Sequence, residues 1–253
     1  MQTARDVAIL ARRQLRATVS YRSGIFVGVT QPVLFLLLFG PIMSSVLAAQ
    51  EGHVSAAWSL YVPGILVMLA LFSAGYAGFA LFADLHSGYQ ERLRATPVSP
   101  TSLLLGRLAH DVVVQLFQAT LLLVLAAVLW LRAPLLGMLV QLLFVALLTI
   151  GSAALSYALA LKTRHQYVFA PLISLGTLPV MLLSGILLPM SLAPRWLEVL
   201  SYLNPFRHIL DGMRPALRGD LAAAEVFIGL GVAGALVAVA LVVSSRSFAR
   251  ELA

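Results

Sequence analysis

The stretch Asp84–Arg107, DLHSGYQERLRATPVSPTSLLLGR, decides how the chain is arranged, because it is charged and separates two long apolar segments. Its first part, Leu85–Ala95, has a helix-like pattern that stops at Thr96-Pro97, since proline disfavours helical geometry in the residue before it. Ser99-Pro100 predicts a new helix start, with serine as the N-cap and proline in the first turn. The stretch therefore predicts a short polar helix, a break and a long apolar helix.

The composition is that of a membrane protein. Of the 253 residues, 60% are hydrophobic and 11% are charged, whereas soluble domains are about half apolar and about a quarter charged. One bilayer crossing takes about 20 apolar residues, so the chain has room for several crossings and little sequence for a soluble domain. Cysteine is absent, which excludes disulfides and thiolate metal sites. We interpret the net charge of +7 as a sign of membrane orientation rather than of nucleic-acid binding.

The apolar runs predict one all-α transmembrane domain over residues 1–253, with six spans. A modest amphipathic helix, 1–23, precedes the spans and suits the membrane interface. The polar loop 84–100, with its short helix, separates spans 2 and 3. Residues 190–221 predict short amphipathic helices on the outer side, re-entrant or interfacial. The predicted spans are about 24–48, 57–83, 101–131, 135–161, 166–188 and 222–244.

The distribution of charge predicts the orientation. The segments 1–23, 84–107, 162–165 and 245–253 hold twelve basic residues, against five in the opposite segments. Lys and Arg are enriched in cytoplasmic loops, so both termini are predicted to be cytoplasmic. The strong preference for arginine over lysine indicates a GC-rich bacterial genome, and hence a bacterial plasma (inner) membrane. The outer interface then holds all three tryptophans, Trp58, Trp130 and Trp196.

The sequence contains no motif for catalysis, nucleotide binding or metal binding. The only lysine, Lys162, follows Leu161 and is not part of a Gly-x-x-x-x-Gly-Lys phosphate loop. The five histidines do not pair at metal-ligand spacing, and no catalytic-serine signature occurs. We therefore predict no catalytic residue, no metal and no cofactor in this chain.

His110-Asp111 is the most notable polar pair within a predicted span. A charge at that depth is costly unless it is paired or hydrated. Arg107 precedes Asp111 by four residues, so a local helical ion pair is the simpler interpretation, and a proton relay is the alternative. Gln115 and Gln118 either line a transport pathway or hydrogen-bond between helices. The sequence does not separate these roles.

The polar stretch resembles the cytoplasmic loop of type-2 ATP-binding-cassette (ABC) permeases, the class that includes daunorubicin-resistance-like exporters. The family pattern is roughly acidic-x-Glu-x-Gly-Thr-x-acidic-Arg-Leu-x-x-Thr-Pro-Val. The matching residues are Asp84, Gly88, Glu91, Arg92, Leu93, Thr96, Pro97 and Val98. His86 stands where an acid is expected, and Tyr89 where a threonine is expected.

A second segment is similar to the Asn-Pro segment that precedes the last span in the same family. It consists of Asn204-Pro205-Phe206-Arg207-His208 and Asp211-Gly212-Met213-Arg214. The candidate site residues in it are Asn204, Pro205, Arg207, Asp211 and Arg214. The order and spacing of the two motifs among the spans make the resemblance stronger than either motif does alone.

The resemblance implies the membrane subunit of an exporter that carries an amphipathic small molecule or a lipid-like substrate. It implies two copies of a separate ABC ATPase, which hold ATP and Mg²⁺, and a second permease subunit, identical or related, with spans 1 and 5 near the dimer seam. Membrane lipid is the other expected partner, and nucleic acid is not one. The residues expected to contact the ATPase are Asp84, His86, Gly88, Glu91, Arg92 and Arg94.

Two other classes of protein are the alternatives. An ion- or proton-coupled secondary transporter should carry several buried acids or bases at mid-span and an internal repeat, and the sequence has neither. A non-transporting membrane scaffold of the same fold stays open.

Overall fold

The structure is a computed structural model, and it describes residues 2–20, 30, 33–42, 45, 54–86, 99–186, 190 and 193–252. Within these ranges the chain is helical, with turns and short connections and no strand, as the predicted all-α fold requires. A π-helical turn occupies Phe35–Phe39. The α-helices are α1 (Gln2–Ser20), α2 (Val54–His86), α3 (Pro100–Leu129), α4 (Leu135–Thr163), α5 (Gln166–Leu183), α6 (Arg195–Ser201), α7 (Pro205–Arg218) and α8 (Ala224–Leu252).

Five of the described helices are long and apolar enough to cross a membrane. The membrane-length segments are Ala57–Ala83, Pro100–Leu129, Leu135–Thr163, Gln166–Leu183 and Ala224–Arg250. They occupy the positions predicted for spans 2 to 6. The first predicted span, 24–48, lies largely outside the described residues, so a total of six stays a prediction. The chain is thus a multi-pass α-helical membrane protein.

Helix starts follow the local signals in the sequence. The Ser99 side chain accepts a 3.2 Å hydrogen bond from the backbone N–H of Ser102, with Pro100 as the first residue of α3. The Asn204 side chain accepts a 3.1 Å bond from the N–H of Phe206, at the start of α7. Both predicted cap-then-proline starts are therefore confirmed, because each depends only on neighbouring residues.

Three helix ends differ from the predicted span limits. α5 ends at Leu183 instead of 188, because Gly185 adopts a left-handed φ of 76°. α2 continues through His86, since the first strong helix breaker after span 2 is Gly88. Asp84 and His86 therefore lie in the last turn of α2. α8 continues past 244 to Leu252, through residues that include neither glycine nor proline.

Helix α4 lies at the centre of the bundle, in contact with α2, α3, α5, α7 and α8. Its close approach to α2 depends on small residues. Ser156 Oγ donates a 3.0 Å hydrogen bond to the carbonyl of Gly75 and accepts a 3.1 Å bond from the N–H of Gly78. A Cβ on Gly78 would lie 2.2 Å from the ring of Phe169 in α5, so three helices meet at this glycine.

A stacked pair of tryptophans marks one end of the bundle. Trp58, near the start of α2, stacks in parallel on Trp130, which follows α3, with ring centroids 4.5 Å apart. The start of α2 and the end of α3 therefore lie at the same end of the bundle, as two antiparallel neighbours should.

Candidate functional site

Helix α7 is wedged into the bundle between α2, α4 and α8. Its buried apolar face consists of Phe206, Ile209, Leu210, Met213, Ala216 and Leu217. Gln141 of α4 donates a 2.7 Å hydrogen bond from its side-chain amide to the carbonyl of Met213. A Cβ on Gly137 would lie 2.5 Å from the carbonyl oxygen of Ala216, so α4 approaches α7 at backbone distance. The segment is therefore part of the packed core.

Arg207 is the centre of a polar cluster at the start of α7. Its guanidinium lies 3.8 Å from the ring centroid of Tyr202. It donates to the carbonyl of Glu198 at 2.9 Å and to the hydroxyl of Ser201. Its Nε also lies 3.5 Å from a carboxylate oxygen of Asp211. Arg207 is only 8% exposed, so its charge is stabilised by these contacts rather than by water.

Arg214 extends this cluster towards α5. Its Nη1 donates a 3.2 Å hydrogen bond to Asp211, and its Nη2 donates a 2.9 Å bond to the carbonyl of Gly185. Burial lowers the pKa of Arg214, and the carboxylate of Asp211 opposes that shift. Asp211 thus bridges the two arginines, and the three residues form one network across the helix.

Asn204 joins α5 to α7. While its side-chain oxygen caps α7, its Nδ2 donates a 2.7 Å hydrogen bond to the carbonyl of Val180. Val180 directly follows Pro179 in the last turn of α5, where the backbone carbonyls lack their usual intrahelical donors. The structure therefore brings together the residues predicted for the outer segment, which are Asn204, Pro205, Arg207, Asp211 and Arg214.

A second polar cluster lies at the other end of the bundle. Tyr157 of α4 donates a 2.6 Å hydrogen bond to Oδ2 of Asp111, and His110 Nδ1 lies 3.0 Å from Oδ1 of the same carboxylate. His110 Nε2 in turn lies 2.8 Å from the hydroxyl of Thr18 in α1. The predicted pair His110-Asp111 is thus the middle of a hydrogen-bonded chain through three helices.

Arg107 accompanies this chain. It is 2% exposed, and its guanidinium carbon lies 5.8 Å from the ring centroid of Tyr157. A cation over an aromatic ring within about 6 Å is attracted to it. The ion pair of Arg107 with Asp111 stays a prediction.

Gln115 and Gln118, which follow Asp111 by about one and two turns of α3, are also buried. Both side-chain amide atoms of Gln115 lack a hydrogen-bond partner among the described residues. A buried amide without partners is costly, and it is commonly satisfied by an ordered water. Neither the pathway role nor the interhelical role is decided by this geometry.

Residues 87–98, and with them most of the predicted polar helix Leu85–Ala95, lie outside the described residues. This applies to Gly88, Glu91, Arg92 and Arg94. The roles predicted for them, and for Asp84 and His86, stay predictions.

Two residues in the cluster around Asp111 have no signal in the sequence. Thr18 and Tyr157 are single polar residues in helical segments, separated from their partners by 92 and 46 positions. The only available signal was the unsatisfied requirement of Asp111 for a partner. Among the described residues, no three His, Asp or Glu side chains are grouped so that they could hold a metal ion.

An apolar cleft of about 210 Å³ separates α2 from α5. Among the described residues that line it, Tyr76, Ser174 and Thr177 carry hydroxyl groups and none is charged. The remaining lining residues are Leu71, Phe72, Gly75, Phe79, Ala170 and Ile173.

The helical spans, the wedged helix α7 and the largely apolar cleft define a polytopic membrane protein of the permease kind. The model of the ABC-2 type transporter family matches residues 5–217, and the chain belongs to this family. The resemblance to type-2 ABC permeases predicted from the two motifs is thereby confirmed.

Several relatives are named as transport permeases. A putative transport permease, ycf38, of Cyanophora paradoxa is 27% identical over 189 residues, which cover 74% of this chain and 65% of the relative. The daunorubicin resistance ABC transporter permease protein DrrB1 of Streptomyces coeruleorubidus is 24% identical over 214 residues, 83% of this chain and 74% of the relative. The probable multidrug ABC transporter permease YbhR of Escherichia coli K12 is 26% identical over 155 residues, which cover 59% of this chain and 41% of the relative. The matched region spans less than two thirds of ycf38.

Proposed function

We propose that the chain is the membrane-spanning permease subunit of an ABC exporter. The family match over residues 5–217 carries this proposal. The sequence has no phosphate loop, so ATP and Mg²⁺ are held by a separate ABC ATPase, present in two copies. A second permease subunit, identical or related, completes the transporter. The protein lies in a bacterial plasma membrane with both termini in the cytoplasm, as the arginine distribution favours.

The stretch between α2 and α3 is the proposed contact with the ATPase. α2 ends at His86 and α3 begins at Pro100, so a displacement of the residues between them acts on two membrane-spanning helices at once. Movement of the ATPases on ATP binding is transmitted in this way, and the bundles rock to expose the substrate path to either side.

The cleft between α2 and α5 is the proposed contact with substrate. Its apolar wall with a few hydroxyls suits an amphipathic molecule, since ligand sites are mostly apolar with a small number of placed polar groups. The cleft measures about 210 Å³, below the range of about 300 to 1,000 Å³ usual for small-molecule sites. The matching cleft of the second subunit therefore completes the site.

Helix α5 is the proposed neighbour of that second subunit. Among the described membrane-length helices it is the least covered, and Phe169 is the one residue of Gln166–Leu183 that is buried. Its large exposed apolar side chains are Tyr167, Val168, Leu172, Leu175, Leu178 and Leu182. A face of this kind is covered by lipid or by a second helix, and its position beside the cleft favours the second subunit for part of it.

The test is a charge reversal at Glu91 with a matched reversal elsewhere. Glu91→Arg should abolish transport and weaken ATPase binding at equal membrane expression, because a like charge in a partly desolvated contact costs several kcal/mol, on the order of a 100-fold loss of affinity. Asp220→Arg makes the same change of charge at an exposed residue after α7 and should leave both intact. Wild-type transport and ATPase binding by Glu91→Arg would contradict the proposed contact.

A further inference from the structure

We propose that His110 and Asp111 are positioning residues that hold helix α1 in one register against α3 and α4. Through Tyr157 they carry the orientation of α1 to the centre of the bundle. The consequence for transport rests on the proposed exporter function, but the docking of α1 does not.

Helix α1 is seated on α3 at a glycine. A Cβ on Gly106 would lie 2.8 Å from Cβ of Leu10 and 3.5 Å from the carbonyl of Val7, so α1 approaches the backbone of α3 at this position. The arginines of α1 stay on its exposed side, as Arg5 and Arg12 illustrate. The apolar face thus fixes which side of α1 faces the bundle, but apolar contacts alone permit the helix to slide along α3.

The hydrogen-bonded chain removes that freedom. A carboxylate only accepts hydrogen bonds, so His110 donates to Asp111 through Nδ1–H. In the neutral imidazole, Nε2 is then the acceptor for the hydroxyl of Thr18. Tyr157 donates to the remaining oxygen of Asp111. Donors and acceptors therefore match along the whole chain, and each bond specifies the position of one helix relative to the next.

Tyr157 is the residue that carries this arrangement into the bundle. It is 2% exposed, and its ring packs edge-on against Phe248 of α8 at a centroid distance of 6.4 Å. Its helix, α4, contacts every other membrane-length helix. A change in the register of α1 would therefore shift His110 and Asp111, and through Asp111 the hydrogen-bonded side chain of Tyr157. The helices packed around α4 would shift with Tyr157.

A purely apolar contact would be the cheaper way to hold α1. The Asp111 side chain is 16% exposed, and moving a carboxylate out of most of its water costs free energy even when it is hydrogen-bonded, so apolar replacements are often as stable. What a partly buried polar chain provides is a single arrangement, because its bonds are lost when either partner shifts. Asp111 is therefore used to specify position rather than to add stability.

The test measures the position of α1 directly. The chain has no native cysteine, so spin labels on Arg12→Cys and Lys162→Cys, both exposed positions, report the distance between α1 and the end of α4. In the full chain in lipid nanodiscs we expect one narrow distance distribution. Thr18→Val removes the hydroxyl at nearly constant shape and should broaden it, as should His110→Ala. Thr18→Ser keeps the hydroxyl and should restore the narrow distribution.

A second label pair, Thr101→Cys with Lys162→Cys, reports the distance between α3 and α4 and should stay unchanged. If the α3–α4 distance distribution broadens in His110→Ala, that variant disturbs the bundle itself. The Thr18 variants then provide the test of α1 docking, because Thr18 lies in α1 and they change no residue of the bundle. A narrow, unshifted α1 distance in both Thr18→Val and His110→Ala would overturn the docking role.

Transport provides the second readout. Coupling mutations of this kind change function by about tenfold, so we expect about tenfold less transport per ATP hydrolysed in Thr18→Val, and recovery in Thr18→Ser. Wild-type coupling despite a broadened α1 distance would overturn the positioning role. The distance measurements need neither ATPase nor substrate, so a failure of the exporter proposal leaves them decisive for the docking of α1.

Discussion

The side-chain amide of Gln141 donates a 2.7 Å hydrogen bond to the backbone carbonyl of Met213. Both residues are buried. The bond holds α7 against α4 one turn from Gly137, where the two backbones approach closely. On the other side, a Cβ on Gly212 would lie 2.5 Å from the carbonyl of Glu225, so α7 approaches α8 equally closely. α7 is therefore held from two sides at backbone distance.

We expect Gly137→Ala to destabilise the protein. The new methyl group would lie 2.5 Å from the carbonyl oxygen of Ala216 and 3.2 Å from that of Leu217, and backbone atoms cannot move aside cheaply. Overpacking of this kind costs about 1 to 3 kcal/mol. Thermal unfolding of the detergent-solubilised protein measures the loss.

The matched control for this variant is Gly231→Ala in α8. Apart from its own stretch of helix, no atom of the described residues lies within 4 Å of a Cβ built at that position, and Gly to Ala inside a helix is favourable by about 0.5 to 1 kcal/mol. Its melting temperature should be unchanged or slightly higher. Equal melting temperatures for both variants would show that α7 does not press against α4.

Arg207→Lys should weaken the attachment of α6 to α7. Lysine keeps the charge but loses the planar group that lies over Tyr202 and donates to Glu198 and Ser201 at the same time. The loss of hydrogen bonds from a charged group suggests about 2 kcal/mol, which lowers the melting temperature by about 4 to 8 °C in a chain of this size.

Arg195→Lys is the comparison for Arg207→Lys, because Arg195 is an exposed arginine at the start of α6. Surface substitutions of this kind usually fall within about 0.5 kcal/mol of the wild type. If the two lysine variants unfold at the same temperature, the cluster around Arg207 contributes nothing to stability.

The parts of this fold that follow from neighbouring residues were predictable. Ser99-Pro100 and Asn204-Pro205 each start a helix by local geometry, and the positions of spans 2 to 6 follow from the length of the apolar runs. The end of α5 was placed too late, because a left-handed glycine inside an apolar run looks the same in sequence as a helical one. Gly185 is distinguished only by its φ of 76°.

The partners of the polar residues were not predictable. The sequence pairs Asp111 with Arg107 one turn away and does not single out Tyr157, which is brought to Asp111 by the antiparallel packing of α3 and α4. Arg207 likewise obtains most of its contacts from α6 and from Tyr202, which follows it. Pairings of this kind depend on how helices are placed in space, and sequence periodicity carries no information about that.

Thiol labelling is expected to establish the orientation in the membrane. Leu203→Cys and Asp220→Cys are exposed at the end of the bundle assigned to the outside, and they should react with an impermeant maleimide on intact cells. Thr101→Cys and Ala249→Cys are exposed at the opposite end and should react only after permeabilisation. The reverse pattern would put the coupling stretch outside the cell, away from ATP.

A bulky side chain at Ser174 is expected to block the cleft between α2 and α5, because Ser174 lines it. Ser174→Trp would fill much of a cleft of about 210 Å³ with a rigid ring. At equal membrane expression we expect transport to fall by at least about tenfold, a change of about 1.4 kcal/mol in the transport barrier. ATP hydrolysis by the bound ATPase without substrate should persist, because the stretch between α2 and α3 is untouched.

The control is Val239→Trp, which places the same ring at a 60% exposed position of α8, a helix that contributes no described residue to the lining of the cleft. At equal membrane expression this variant should transport normally. Normal transport by Ser174→Trp as well would show that the substrate takes another route through the bundle.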